Sequence, residues 1–350
     1  MTAPQPAVET VELAPGYHIP RIIRGGWQLA GDHGAVDRSR ALDDMSAFVA
    51  AGLNTVDGAD IYTGVEDMYG SFNQRQTDQG LPPLQVHTKF VPDASDLAHV
   101  DAAYVRRVIE RSLHRLRTKR LDLVQFHWWD YAIPGVVQTA CQLAKLRAEG
   151  LIAHLGCTNF DSIQLLAMLD AGVPMVSIQI QYSLLDRRAQ NALARLCRER
   201  GVLMLCYGTL AGGFFSEHWL GRDEPVTGLT NRSLIKYKLV IDEFGGWSVF
   251  QELLHSLKAI GDRHQASIAT VATRWVLDQS GVAAAIVGAR YAERLSETLD
   301  VFRLRLDAQD HDLLAPILAA HPGPAGDTYT LERDRNGPHG RIMKYELNKS

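Results

Sequence analysis

The patterning of this chain predicts an α/β fold, a (β/α)8 barrel of the TIM type, on three observations. Short apolar runs alternate with amphipathic segments almost from end to end, the runs number eight, and residues able to do chemistry stand at or just beyond the ends of several runs. Parallel strands closed into a barrel aim such strand-end residues at one face. The 350 residues of the chain exceed the roughly 250 that a barrel needs. The excess is expected in a long loop after the seventh strand and in a C-terminal extension, with the barrel over residues 1–320 and the tail over 321–350.

The first run, Ile22 to Gly25, ends at the pair Gly25 and Gly26, a tight strand-to-loop turn followed by Trp27. The second, Asn54 to Asp57, opens the segment TVDGADIY, which carries Asp57 and Tyr62. The third, Gln85 to Lys89, ends on a lysine, and the fourth, Leu121 to His127, ends on a histidine followed by Trp128, Trp129 and Tyr131. Ala153 to Cys157, Val176 to Ile180, Val202 to Cys206 and Ala284 to Val287 complete the set. Asp101 and Asp161 each precede a helical pattern as N-caps, and a further helix is expected over Ala266 to Leu277. Gly52, Gly150, Gly172 and Gly201 stop helices where a left-handed residue is favoured. One connection breaks the rhythm: Gly208 to about Ser248 reads as a long loop. Phe214, Phe215, Trp219 and Tyr237 within it predict an ordered flap rather than a floppy linker.

Apolar residues make up 46% of the chain and charged residues 22%, with a formal net charge of −4. That composition supports a large core and excludes a disordered chain. The absence of a Lys/Arg block gives no electrostatic reason to expect nucleic acid or anionic lipid. No signal-like N-terminus and no run near the ~18 apolar residues of a membrane span is present, so a cytoplasmic protein with a small-molecule partner is expected. The sequence carries no signal for an oligomeric state. Cys141, Cys157, Cys197 and Cys206 show no metal-ligand spacing and are expected as free thiols.

The chemistry is concentrated in Asp57, Tyr62, Lys89 and His127. A tyrosine ionises near pH ~10, and an ammonium at Lys89, held by the Asp57 carboxylate, would favour its phenolate and make the hydroxyl a better acid. Tyr62 is then the proton donor, with His127 expected either to orient a carbonyl oxygen toward it or to help pass the proton. None of the four can supply a hydride, so carbonyl reduction here requires an organic cofactor. There is no GxGxxG or Walker loop, which predicts a dinucleotide lying extended across the barrel mouth.

In type, order and context these residues resemble the catalytic tetrad of the aldo-keto reductase superfamily, and the similarity runs from about Arg21 to about Leu304. GCTNF, Gly156 to Phe160, resembles the family's G-x-S-N-F element, and QIQYSLLDR, Gln179 to Arg187, resembles its Q-x-x-Y-N element. GVAAAIVGARYAERLSETL, Gly281 to Leu299, resembles the segment that follows the last strand. The resemblance implies that Thr158, Asn159 and Gln179 hold a nicotinamide carboxamide, that Tyr207 stacks on the ring, and that Gly26, Trp27 and Asp57 border it. It places Gly208, Leu210, Gly212 and Gly213 beside the pyrophosphate and Gly288, Glu297 and Thr298 toward the adenosine. Arg290 and Arg294 would pair with a 2′-phosphate, which implies NADPH rather than NADH. Trp27, Tyr62, His127 and Trp128 would contact the substrate, an aldehyde, ketone or alcohol. The chain departs from the family in having Gly208-Thr209-Leu210 for S-P-L and Thr298 for the usual Asn. Two rival readings are a non-catalytic cofactor-sensing or structural subunit on the same barrel, and a barrel lyase with Lys89 as Schiff-base amine.

Overall fold

The computed structural model describes residues 6–30, 36–225, 227–229, 231–289 and 291–348. Two short strands, β1 (Thr10–Ala14) and β2 (Tyr17–Pro20), come first and pair antiparallel. Eight parallel strands then close a barrel: β3 (Ile22–Gly25), β4 (Thr55–Asp57), β5 (Gln85–Phe90), β6 (Leu121–Phe126), β7 (Ile152–Thr158), β8 (Met175–Gln181), β9 (Leu203–Tyr207) and β10 (Val282–Gly288). β10 closes on β3, and every other barrel strand pairs with its neighbour in sequence. The fold is the (β/α)8 TIM barrel that the alternating runs predict. The β1–β2 hairpin was not anticipated. It floors the barrel, Leu13 and Ile19 packing with Ile23, Leu123, Leu205 and Ala283, and the Tyr17 hydroxyl lying 3.1 Å from His87 Nε2.

The outer helices are α1 (Arg38–Ala50), α2 (Val65–Asp78), α3 (Ala102–Leu116), α4 (Val136–Ala148), α5 (Ser162–Asp170) and α6 (Ala192–Arg200). Asp101 and Asp161 cap α3 and α5 by accepting from the Tyr104 and Gln164 amides. Between β9 and β10 lie α7 (Arg232–Phe244), α8 (Gly246–His264) and α9 (Ile268–Leu277). The expectation of a long loop from Gly208 to Ser248 is corrected here, since its second half is helix α7. Tyr237, Val240, Ile241 and Phe244 fall at helical spacing and are buried, and the Asn231 side chain caps the first turn. The first half is ordered as expected: Phe214 packs on Trp219, Trp247 and Phe250.

After β10 come α10 (Leu295–Asp300) and α11 (Ala308–Ala320), then a tail holding two single-turn helices, α12 (Thr330–Arg333) and α13 (Pro338–Arg341). The tail crosses the catalytic face. Thr328 donates to the Phe160 carbonyl, Tyr345 packs on Trp129, and Asp93 accepts from the Leu347 and Asn348 amides. All four cysteines are free. Among the described residues no helix is long and apolar enough to cross a membrane.

Candidate active site

Asp57 is the last residue of β4, and Lys89 lies one strand over, next to last in β5. Their side chains meet inside the barrel mouth, with Lys89 Nζ donating to Asp57 Oδ1 at 2.9 Å, to Asp57 Oδ2 at 2.7 Å and to the Gly58 carbonyl at 2.8 Å. Asp57 Oδ1 also accepts from Gln125 Nε2 at 3.1 Å and Gln179 Nε2 at 2.6 Å. A buried ion pair of this kind holds only when its remaining lone pairs are satisfied, and the two glutamines do that. Gln125 was missed in the sequence. A polar residue in the apolar run LVQF, flanked by inward-facing strand ends, was the available signal.

Tyr62 follows on the β4–α2 loop, its ring 5.1 Å from that of Trp27 and 5.0 Å from Lys89 Nζ. The expectation that Lys89 makes the Tyr62 hydroxyl a stronger acid is corrected. Burial, followed by the negative charges of Asp57 and Asp60, holds the phenol well above its ordinary range. The ammonium does not offset this because its hydrogens are engaged by Asp57 and Gly58, so its charge is largely cancelled. Tyr62 is a firmly protonated hydroxyl.

His127 follows β6 by one residue, its backbone amide bonded to the Phe90 carbonyl. Its Nδ1 sits 3.0 Å from the Thr158 carbonyl, which accepts only, so Nδ1 carries the hydrogen. Burial, then the Arg333 guanidinium and, more weakly, Lys89, push the imidazole down to about 3, so the ring is neutral at pH 7. Nε2 is therefore bare, buried and without a protein partner. A bare nitrogen accepts hydrogen bonds. It suits a hydroxyl, whereas the expected contact to a carbonyl oxygen would oppose two lone pairs.

The tail residue Arg333 holds this corner together, and nothing in the sequence marked it. Its Nη1 donates to the Trp128 carbonyl at 2.6 Å and the Trp129 carbonyl at 2.9 Å, Nη2 donates to the Asn159 carbonyl at 2.6 Å, and the guanidinium lies 3.7 Å over the Tyr131 ring. The loops after β6 and β7 are thus tied by one side chain.

Trp27, Asp57, Tyr62, Lys89, His127, Thr158, Asn159, Gln179 and Tyr207 line one cavity of about 1050 Å³, together with Gly208, Leu210, Gly212, Gly213, Gly288, Arg294, Glu297 and Thr298. Three expected residues stand apart. Trp128 is fully buried, its indole N–H donating to the Asp130 and Ile133 carbonyls, and Trp129 lines the cavity in its place, edge-on to His127 at 4.4 Å. Gly26 lies behind the wall, where a Cβ would come within 2.4 Å of the Asp57 carbonyl oxygen, so the glycine serves the crossing of two strands. Arg290 lies outside the described residues.

The lining fits a nicotinamide dinucleotide on three counts. Thr158 Oγ1 and Thr209 Oγ1 are buried hydroxyls without a partner. The Tyr207 ring is held at the cavity wall by its hydroxyl donating to Asn159 Oδ1 at 2.8 Å. Gly208 and Gly212 lie under Tyr237, with no room for a Cβ, while Gly213, at φ +108, has open space beside it for close backbone approach.

The model of the Aldo/keto reductase family matches residues 21–319. The chain is similar to the aldo-keto reductase YhdN of Bacillus subtilis, 26% identical over 87% of this chain and 91% of that protein. It is 24% identical to the NADH-specific methylglyoxal reductase of Escherichia coli over 86% of this chain and 95% of that one. Flagellar radial spoke protein 5 of Chlamydomonas reinhardtii is 29% identical over 63% of this chain, and the chain spans only 49% of that longer protein. Among solved structures, the glycerol dehydrogenase of Gluconobacter oxydans superposes with a TM-score of 0.73 at 24% identity, over 93% of this chain and 98% of that one, a likeness of fold.

Proposed function

Since the chain belongs to the aldo/keto reductase family, whose members are nicotinamide-dependent oxidoreductases, we propose that it interconverts an aldehyde or ketone with the corresponding alcohol, using NADPH and Tyr62 as the general acid and base. The observation that carries this reading is the convergence of Tyr62, His127 and the Lys89–Asp57 pair on the cavity that Tyr207 and Asn159 also line. Bound nicotinamide would supply the hydride, which no side chain here can.

In this reading Tyr62, kept protonated by burial, donates its hydroxyl hydrogen to the substrate oxygen and, in the reverse direction, receives it. Once Tyr62 has given up its proton, the bare His127 Nε2 accepts from the hydroxyl of the product alcohol and holds its oxygen beside Tyr62; in the reverse direction that hydrogen turns from His127 to the Tyr62 phenolate. Lys89 and Asp57, bonded to each other and to Gln125 and Gln179, give the site a rigid floor and a local dipole. The Thr158 hydroxyl and the Asn159 and Gln179 amides would hold the carboxamide, with Tyr207 against one face of the ring and Trp27 and Trp129 walling the substrate.

NADPH is preferred on the strength of Arg294, whose side chain is 75% exposed at the cavity rim with Glu297 at 3.9 Å, free to swing onto a phosphate. Arg290 is assigned the same role by the resemblance of its segment.

A screen of aldehydes, ketones, sugars and alcohols, read by nicotinamide absorbance with both cofactors, tests the proposal. Oxidation of NADPH by at least one carbonyl is expected. The name of the radial spoke relative motivates a second reading, a barrel retained as a structural subunit. Cofactor binding seen by fluorescence, with no turnover across the panel, would favour that reading.

A further inference from the structure

Lys236 projects from the first turns of α7 into the candidate cavity, and none of the roles above uses it. Its Nζ lies 5.2 Å from the Tyr207 ring centroid, 5.6 Å from that of Tyr237 and 6.0 Å from that of Tyr329. Among the described residues its acidic neighbour is Glu332, with Oε1 at 3.8 Å, beyond hydrogen-bonding range. Glu332 in turn is shared with Arg188, whose Nη1 approaches Oε2 to 3.3 Å and whose Nη2 approaches Oε1 to 3.4 Å. An ammonium carries three donors, and this one lines the cavity beside Tyr207 of β9 and Tyr329 of the tail.

The charges around it point the same way. Lys89 is matched by Asp57, and among the described residues the other cavity-lining acids, Glu293 and Glu297, belong to the segment after β10. Arg232 and Lys344 line the same cavity as Lys236. Burial lowers the Lys236 ammonium from its ordinary range, with Glu332 opposing and Arg188 adding to the shift. A partner bearing negative charge would relieve that burial penalty.

We propose that Lys236 forms an anion subsite beside Tyr207, taking a phosphate or carboxylate oxygen of a bound ligand. The inference rests on the proposed function for the ligand's identity, with two sources sharing the chemistry: the pyrophosphate of the dinucleotide, or a carboxylate on the carbonyl substrate. In either case the contact is charge-assisted and partly desolvated, where an ion pair counts for more than at the surface.

The test compares wild type, Lys236→Met and Lys236→Arg, each checked for an unchanged thermal midpoint. Affinity for NADPH is measured by fluorescence titration, and kcat/KM for benzaldehyde against 4-carboxybenzaldehyde. Inorganic pyrophosphate and benzoate are titrated calorimetrically into the cofactor-free protein, so the subsite is read even if no carbonyl is turned over. A tenfold or greater loss of NADPH and pyrophosphate affinity in Lys236→Met, recovered in Lys236→Arg, identifies the phosphate source. A loss confined to benzoate and to the carboxylated aldehyde identifies the substrate. Lys236→Met binding NADPH, pyrophosphate and benzoate, and using 4-carboxybenzaldehyde, as wild type does would overturn the subsite. Wild type failing to turn over any carbonyl, while the pyrophosphate or benzoate loss persists, would sink the enzyme reading and leave the subsite standing.

Discussion

Lys89 gives two of its ammonium hydrogens to the carboxylate of Asp57, 2.9 and 2.7 Å away, and both side chains are almost fully buried. Removing either partner alone therefore leaves the other charge buried and unpaired. Lys89→Met leaves Asp57 uncompensated and is expected to cost about 3–5 kcal/mol in stability. Adding Asp57→Asn should return part of that loss. A double-mutant cycle by chemical denaturation measures it, and additive losses would contradict the coupling.

Arg333 makes three hydrogen bonds to carbonyls of the loops after β6 and β7. Arg333→Met should destabilise the protein by about 2–4 kcal/mol, since charged hydrogen bonds are lost and acceptors stranded. It also removes a positive charge that holds the His127 imidazole down at about 3. The wild-type rate should show no His127 inflection between pH 5 and 8, and in Arg333→Met an acid limb should move upward toward that window. An unmoved pH–kcat/KM profile would show that Arg333 does not act on His127.

The proposed NADPH preference rests, among the described residues, on Arg294. Arg294→Ala is expected to weaken NADPH about tenfold and NADH by less than twofold, since only the former has a 2′-phosphate to lose. Equal losses, measured by fluorescence titration, would contradict the assignment.

Asp60 is buried, with Oδ1 unpartnered and the Val91 amide donating to Oδ2 at 3.3 Å. Burial, reinforced by Glu66, raises its carboxyl to about 8. The folded state then binds a proton that the unfolded state releases near pH ~4. Stability from this group is present below the unfolded value and falls as pH rises toward 8. Asp60→Asn should lose this component, and its thermal midpoint should fall less than the wild-type midpoint between pH 5 and 8. Parallel decline in both proteins would reject the shift.

Much of this was legible in the sequence. All eight barrel strands begin and end within two residues of the apolar runs, because strands buried on both faces read as continuous hydrophobic stretches. The Asp57, Tyr62, Lys89 and His127 set was legible because a barrel carries strand ends to one face. What depends on loop trajectory was not. The burial of Trp128 away from the cavity follows from how the chain turns after Phe126, which no periodicity encodes. α7 was hidden by glycines on either side and by aromatic residues that read equally well as a flap. Arg333 lies more than 170 residues from Asn159 in sequence, and its partners are backbone carbonyls, which leave no side-chain pattern to find.

In the proposed reaction the Tyr62 hydroxyl delivers the proton at the carbon–oxygen bond. The decisive comparison is Tyr62→Phe against wild type, with kcat on a carbonyl that wild type reduces and NADPH affinity both measured. Loss of turnover by about 10²–10⁴-fold, with cofactor affinity within threefold of wild type, is the predicted result. Carbonyl reduction at an undiminished rate in Tyr62→Phe would contradict it.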